Sequence, residues 1–283
     1  MRINTNIMAM NTSRQLGVNA NNNAKSMEKL SSGSRINRAG DDAAGLSISE
    51  KMRGQIRGLN QASRNSQDGI SLIQTAEGAL NESHAILQRM RELVVQAGNG
   101  TNATEDLAAI QEEIGALSSE ITGITERTEF NGKILLQGAY AATGSGIDLQ
   151  IGANVAQNLE INVANMAASG LGSTGIKISS IDVQTLAATT TSFDKQLGAI
   201  DKAISQVSTQ RSKLGALQNR LEHTIKNLDT SSENLSASES RIRDVDMAKE
   251  MMEFSKNNIL NQAATAMLAQ ANQAPQGVLQ LLR

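Results

Sequence analysis

The chain has 283 residues and a net charge of −2, with no Cys, no Trp, one Pro, three Phe and one Tyr. The absence of Cys excludes disulfides, thiolate metal sites and cysteine nucleophiles, and two His, at 84 and 223, leave little for zinc. Aromatic rings normally supply much of the area buried in a thick core, so their scarcity argues for a mainly α fold of long packed helices.

In chain order, the first segment is basic. Residues 1–40 hold six Lys and Arg against one acid, a local charge of +5 (6 − 1). This is read as a solvated helix face, because no aromatic lies there to stack a base, and nucleic acid is not expected as a partner. Leu16, Ala20, Asn23, Met27 and Leu30 alternate in steps of four and three, the spacing of one face of a supercoiling helix. The acids of Asp41-Asp42 stand at the first turn of the next helix, where they complement its dipole.

The spacing predicts a helix over 45–98, with Met52, Ile56, Leu59, Ile70, Ile73, Leu80, Leu87 and Val94 on one stripe and Leu72, Ala76, Ala79, Ile86, Met90 and Leu93 on a second. Two stripes require two neighbours. Gly98 and Gly100 end this helix, and Asn102 with Glu105 forms a capping pair for a helix over 103–127 carrying Leu107, Ile110, Ile114, Leu117, Ile121 and Ile124. From 128 to 183 the period changes to two, in Ile147, Leu149 and Ile151, then Leu159, Ile161 and Val163, then Ile176 and Ile178; Asn131-Gly132 is a turn signal. Short antiparallel strands are expected there. Helical rhythm returns over 190–235 with Phe193, Leu197, Ile200, Ile204, Val207, Leu214, Leu221, Ile225 and Leu228. A last stripe, Val245, Met252, Ile259, Ala263, Ala266 and Ala269, marks the C-terminal helix.

Both terminal stripes are thin, with Ala, Asn and Ser where a globular core carries Leu or Phe, so each end needs a partner. Chemistry is scarce. Neither His84 nor His223 has a second ligand at helical spacing, Gly100-Thr101-Asn102 lacks a phosphate-loop lysine, and no G-x-G-x-x-G or G-x-S-x-G occurs. No cofactor, metal or enzymatic activity is expected. No apolar run reaches the roughly 18 residues of a membrane span, and MRINTNIMAM lacks the apolar stretch of a secretory signal, so passage through the general secretion route is not expected and any export needs another machine.

Several blocks carry a close resemblance. MRINTNI at the start, LSSGSRINRAGDDAAGLSISEKMRGQIRGLNQASRNSQDGISLIQTAEGALNE from Leu30 to Glu82, EFNGKILL from Glu129, LQIGAN from Leu149, RDVDMAKEM from Arg243 and NILNQAATAMLAQANQAPQGVLQLLR from Asn258 resemble bacterial flagellin in its short form. The resemblance implies an extracellular structural subunit of the flagellar filament, with a long helical rod or coiled coil made by the paired N- and C-terminal halves and a small antiparallel β-hairpin region between them. It implies an inner domain of 1–40 and 236–283, folding as a coiled coil on polymerisation, and an outer rod domain of 41–235. The self-assembly residues are then Leu16, Met27, Leu30, Ile259, Ala263, Ala266 and Leu279.

Partners implied by the same resemblance are further copies of the chain, an export chaperone on the C-terminal segment, the type III export apparatus, and the filament cap and hook-junction proteins. LQRMRELVVQA and IQEEI match a patch read by a vertebrate Toll-like receptor, at Arg89, Leu93 and Glu113. A packing role for Leu93 and an Arg89–Glu113 pair across the helical hairpin is the competing reading. Alternatives are a hook-filament junction protein of the same superfamily and an unrelated coiled-coil scaffold; a flagellin with a zinc protease in its central segment is ruled out by the lack of His there.

Overall fold

The computed structural model describes residues 6–141, 145–173, 175–184 and 190–281, with side chains described up to Gln273. Five helices carry the fold: α1 (Ile7–Ser32), α2 (Ala43–Ala97), α3 (Thr104–Arg127), α4 (Thr190–Arg243) and α5 (Met247–Leu281). Between α3 and α4 lie three separate antiparallel pairs, β1 (Glu129–Phe130) with β2 (Lys133–Ile134), β3 (Ile147–Gln150) with β4 (Asn158–Ile161), and β5 (Gly172–Ser173) with β6 (Ile176–Lys177). The fold is therefore mainly α with a small strand region, as the periodicity implied.

Contacts divide the chain into two units, residues 57–232 and residues 1–56 with 233–283. In the first, both stripes of α2 are buried. Ile73, Leu80, Leu87 and Val94 of one, and Leu72, Ala76, Met90 and Leu93 of the other, pack with Ile110, Ile114 and Ile121 of α3 and Val207, Leu214 and Leu221 of α4. A fully buried Leu or Ile contributes about 1.5–3 kcal/mol, so this three-helix seam holds the unit without large aromatics. Ion pairs brace it at the surface: Arg91 Nε lies 2.8 Å from Asp201 Oδ1 and Arg211 Nη2 lies 3.8 Å from Glu77 Oε1.

The start of α3 corrects the expected cap. Asp106, not Glu105, reaches back to the chain entering the helix, accepting from the Ala103 N–H at 3.0 Å, and Asn102 donates to the carbonyl of Gln96 at 2.6 Å. The Asn131-Gly132 turn is as expected: both residues have positive φ, 51° and 74°, which closes the β1–β2 pair. In β3–β4, Ile147 faces Ile161 and Leu149 faces Leu159, so the apolar set lies on one side of the ladder. That side comes close to α2, where a Cβ built on Gly69 would fall 2.2 Å from Leu149 Cδ1.

Glutamine amides dock the strand region onto the helices. Gln111 of α3 donates to Ile181 O at 3.1 Å and accepts from Val183 N at 2.8 Å; Gln206 of α4 exchanges two bonds with the Gly172 backbone, at 3.0 and 3.2 Å. Irregular segments carry unpaired backbone groups, and these amides satisfy them where no ladder can. Gln210 adds a bond to Asn162 O at 3.0 Å.

Candidate functional site

The unit holding both termini is built on an antiparallel pair of α1 and α5. Asn6 caps α1 by accepting from the Ala9 N–H at 3.1 Å, and its amide donates to Ala271 O at 2.7 Å; at the other end Lys29 Nζ lies 3.8 Å from Glu250 Oε2. These two contacts set direction and register. Gly33 ends α1 in the left-handed region, with φ 68°.

Beyond Gly33 the two chain breaks bind each other. Ser34 pairs with Asp244, Arg35 N donates to Arg243 O at 2.7 Å, and Val245 N donates to Gly33 O at 3.1 Å. The Arg35 guanidinium takes the carbonyl of Ile242 at 3.1 and 2.6 Å, satisfying one of the last acceptors of α4. Asp41 accepts from the N–H groups of Asn37 and Arg38 at 3.2 and 3.0 Å, and Asp42 caps α2 through Gly45 N at 2.8 Å. Backbone bonds from Arg38, then Asn37, hold the Asp41 carboxyl below its usual pKa. The acid pair is thus structural, but neither acid lies in the first turn as expected: Asp42 precedes it as the cap and Asp41 holds the loop before it.

The seam between α1 and α5 mixes polar and apolar side chains in equal number. On α1 the shielded positions run Ala9, Thr12, Leu16, Asn19, Asn23, Ser26 and Leu30; on α5 they run Glu250, Phe254, Asn257, Asn261, Ala264, Leu268 and Ala271. Both sets alternate in threes and fours, the coiled-coil rhythm. Yet the most buried side chains are Asn19, Ser26, Glu250, Ala264 and Ala271, and the carbonyl oxygens of Asn23 and Asn261 and Glu250 Oε1 lack hydrogen-bond partners. Such a seam gains little from burial and carries the cost of unsatisfied groups.

Leu16, Leu30, Phe254 and Leu268 are half-buried on the seam, but most of the larger apolar residues turn outward. Ile7, Met8, Met10, Val18 and Met27 on α1, and Met247, Met251, Met252, Ile259, Leu260 and Met267 on α5, are all exposed, Ile259 to 66%. Seven of the eleven methionines are among them. Large apolar side chains left exposed in this number along two paired helices fit an interaction surface, and methionine adapts to irregular partners.

Of the expected assembly residues, Leu16 and Leu30 lie on the inner seam, whereas Met27, Ile259, Ala263 and Ala266 are exposed on the outer faces. Leu279 lies outside the described side chains. The expected C-terminal stripe through Met252, Ile259, Ala263 and Ala266 therefore does not pair with α1; the pairing stripe is Glu250, Asn257, Ala264 and Ala271, displaced around the helix. Its seven-residue recurrence is visible in the sequence, but its polarity hides it from a search for apolar periodicity.

At the α2–α3 hairpin, Arg89 donates from Nε and Nη2 to Glu113 Oε1 at 3.0 and 2.9 Å and from Nη1 to Glu92 Oε2 at 3.3 Å. These bonds, Glu113 first, raise the guanidinium pKa above its ordinary value. Both Arg89 and Glu113 remain about half exposed. Leu93, in contrast, is 1% exposed. It cannot be presented to a partner and instead supports the helix under Arg89, a correction to its place in the expected patch.

Among the described residues there is no group of three His, Cys, Asp or Glu able to hold a metal, and no helix is long and apolar enough to cross a membrane. His84 stands at the α2 surface with Nε2 3.1 Å from the Gln88 amide nitrogen.

Comparison with known proteins places these features. The bacterial flagellin N-terminal helical region matches residues 3–141 and the bacterial flagellin C-terminal helical region matches residues 197–282. The flagellin of Bacillus subtilis is 62% identical and that of Halalkalibacterium halodurans 59% identical, each with all of both chains covered. A flagellar filament 31.3 kDa core protein of Treponema maltophilum is 50% identical, again over all of both chains. A Vibrio parahaemolyticus structure assigned as a flagellar hook-associated protein shares the fold, with a TM-score of 0.60 and 15% identity over 72% of this chain and 100% of its own. The full-length likeness to flagellins sets aside an unrelated coiled-coil scaffold, and the chain belongs to the bacterial flagellin family.

Proposed function

We propose that this flagellin builds its filament through the outward faces of α1 and α5, with ordering of the terminal helices coupled to docking against further copies. One observation carries this reading: eleven large apolar side chains of the paired termini are exposed, while the most buried positions of their own seam are Asn19, Ser26, Glu250, Ala264 and Ala271. A seam half made of polar side chains leaves the pair weak alone, and burial of Met27, Met252 and Ile259 against neighbours supplies the missing stabilisation. The subunit is extracellular, as part of the flagellar filament.

In this reading residues 1–40 and 236–283 form the inner domain and 41–235 the outer one. The role is structural, without catalysis. Exposed helical termini also suit capture of the C-terminal segment by an export chaperone, passage through the type III export apparatus, and contacts with cap and hook-junction proteins at the filament ends. Arg89 and Glu113, half exposed, suit a contact with a vertebrate Toll-like receptor, with Leu93 beneath them.

Chains lacking residues 1–40 or 241–283 test the central claim. Each should stay soluble and monomeric by sedimentation with the 57–232 unit folded, and neither should elongate filament seeds under the electron microscope. Filaments of normal length from either truncation overturn it.

A further inference from the structure

On α4, Lys195, Lys202, Lys213 and Arg220 are all exposed. Their spacings of seven, eleven and seven residues place the four within about 20° of one line along a helix of 3.6 residues per turn. The acids of this stretch, Asp194, Asp201, Glu222 and Asp229, lie at least about 80° from that line. In a chain whose charges nearly balance, this face carries one sign. The ion pairs of α4 within 57–232 use Asp201 and Arg211, and none of the four stripe cations takes part among the described residues.

At the centre of the stripe the surface is concave. A cavity of about 500 Å³ separates α4 from residues 164–170; Lys202 and Lys213 lie at its two ends, with Ser205, Gln206, Thr209 and Asn165 between. No acid and no aromatic lines it. Lys177 brings a further ammonium to the rim, with Nζ 3.4 Å from the carbonyl of Gly170. The floor is held in shape by the bonds of Gln206 to Gly172 and of Gln210 to Asn162.

We propose that this stripe and cavity bind a linear acidic polysaccharide. Lys202 and Lys213 stand about 16 Å apart along the helix. That span suits a chain bearing carboxylate or sulfate groups at wide intervals, and the intervening amides and hydroxyls match sugar hydroxyls in both donor and acceptor roles. Nucleic acid is the poorer fit: its phosphates are far denser than these cations, and no ring is available to stack a base. A membrane surface is poorer still, since the stripe is flanked by Ser, Gln and Thr with no apolar anchor. An extracellular filament meets such polysaccharides directly.

Calorimetric titration of purified monomers with a hyaluronan octasaccharide, whose carboxylates occur once per disaccharide, tests the site, alongside single-stranded DNA of equal charge. The variant Lys202→Gln/Lys213→Gln removes two stripe charges; Lys133→Gln/Lys226→Gln removes two exposed charges elsewhere in the same unit. The on-stripe variant should weaken octasaccharide binding at least about ten-fold and lower the salt dependence by about two released counterions. The off-stripe variant should bind like the parent. Equal losses in both variants would reduce the effect to net charge and overturn the proposal, as would no octasaccharide binding by the parent chain. Tighter binding of the DNA would also overturn it, in favour of a nucleic-acid surface.

Discussion

Lys29 and Glu250 form the charged contact across the α1–α5 seam, at 3.8 Å, and Glu250 is 8% exposed with its second oxygen unpartnered. A buried carboxylate held by one long contact is a poor source of stability, and replacing such a group by an apolar side chain is often favourable. Glu250→Leu should therefore strengthen the terminal pair in the monomer. Amide hydrogen exchange across α1 and α5 should slow relative to the parent chain, with α2 and α3 unchanged. Faster exchange would show that the ion pair holds these helices together in the monomer.

Ala264 and Ala266 are two residues apart on α5 and face opposite ways, Ala264 into the seam at 8% exposure and Ala266 to solvent. Ala264→Glu should disorder the terminal pair in the monomer, because it buries an unpaired charge. Ala266→Glu should leave monomer helicity and thermal unfolding unchanged yet raise the critical concentration for assembly. Circular dichroism and a sedimentation assay on the same preparations separate the two effects.

Leu93 and Arg89 differ in the same manner on α2. Leu93→Ala removes a buried side chain and should cost about 2–5 kcal/mol of monomer stability. Arg89→Ala loses only exposed ion pairs with Glu113 and Glu92, so the melting temperature should fall far less. If the receptor contact is real, signalling by a cell-based reporter should fall more for Arg89→Ala than its folded fraction explains, and for Leu93→Ala only in step with unfolding.

Asp41 titrates below its usual range because it accepts two backbone N–H bonds in the folded chain. A depressed folded pKa contributes stability that is present above the unfolded value, about 3.9, and is lost as pH falls through the folded value. The parent chain should thus keep protection in the 35–42 segment at about pH 4 and lose it only as the pH falls below the ordinary carboxylate range, through the lowered folded value of Asp41. Asp41→Asn should already lack that protection at neutral pH and change little on acidification. Hydrogen exchange at pH 7, pH 4 and pH 3 measures both.

The helices of the 57–232 unit were legible because each buried stripe is apolar and long. Ile73, Leu80 and Leu87 recur at helical spacing whether or not the partner is known. The Asn131-Gly132 turn was equally plain, since few other pairs enter two positive-φ positions cheaply. The cap of α3 lies one residue beyond the expected pair, because Asn102 and Asp106 both carry oxygens able to serve a helix start and only the chain path selects between them.

At the termini, local sequence determined that α1 and α5 would be helical and that neither could bury a full core, since propensity and apolar content are properties of each segment. Which face of each helix turned inward was decided only by the tertiary structure. Asn19 and Ser26 are shielded while Met27 and Ile259 are exposed, against a rule that puts the larger apolar side chains inside one chain. That rule minimises exposed apolar area over everything present at equilibrium, and for an assembling subunit the relevant molecule is the polymer. The antiparallel register set by Asn6 with Ala271 and Lys29 with Glu250 depends on residues more than 200 positions apart, a relationship that no local period encodes.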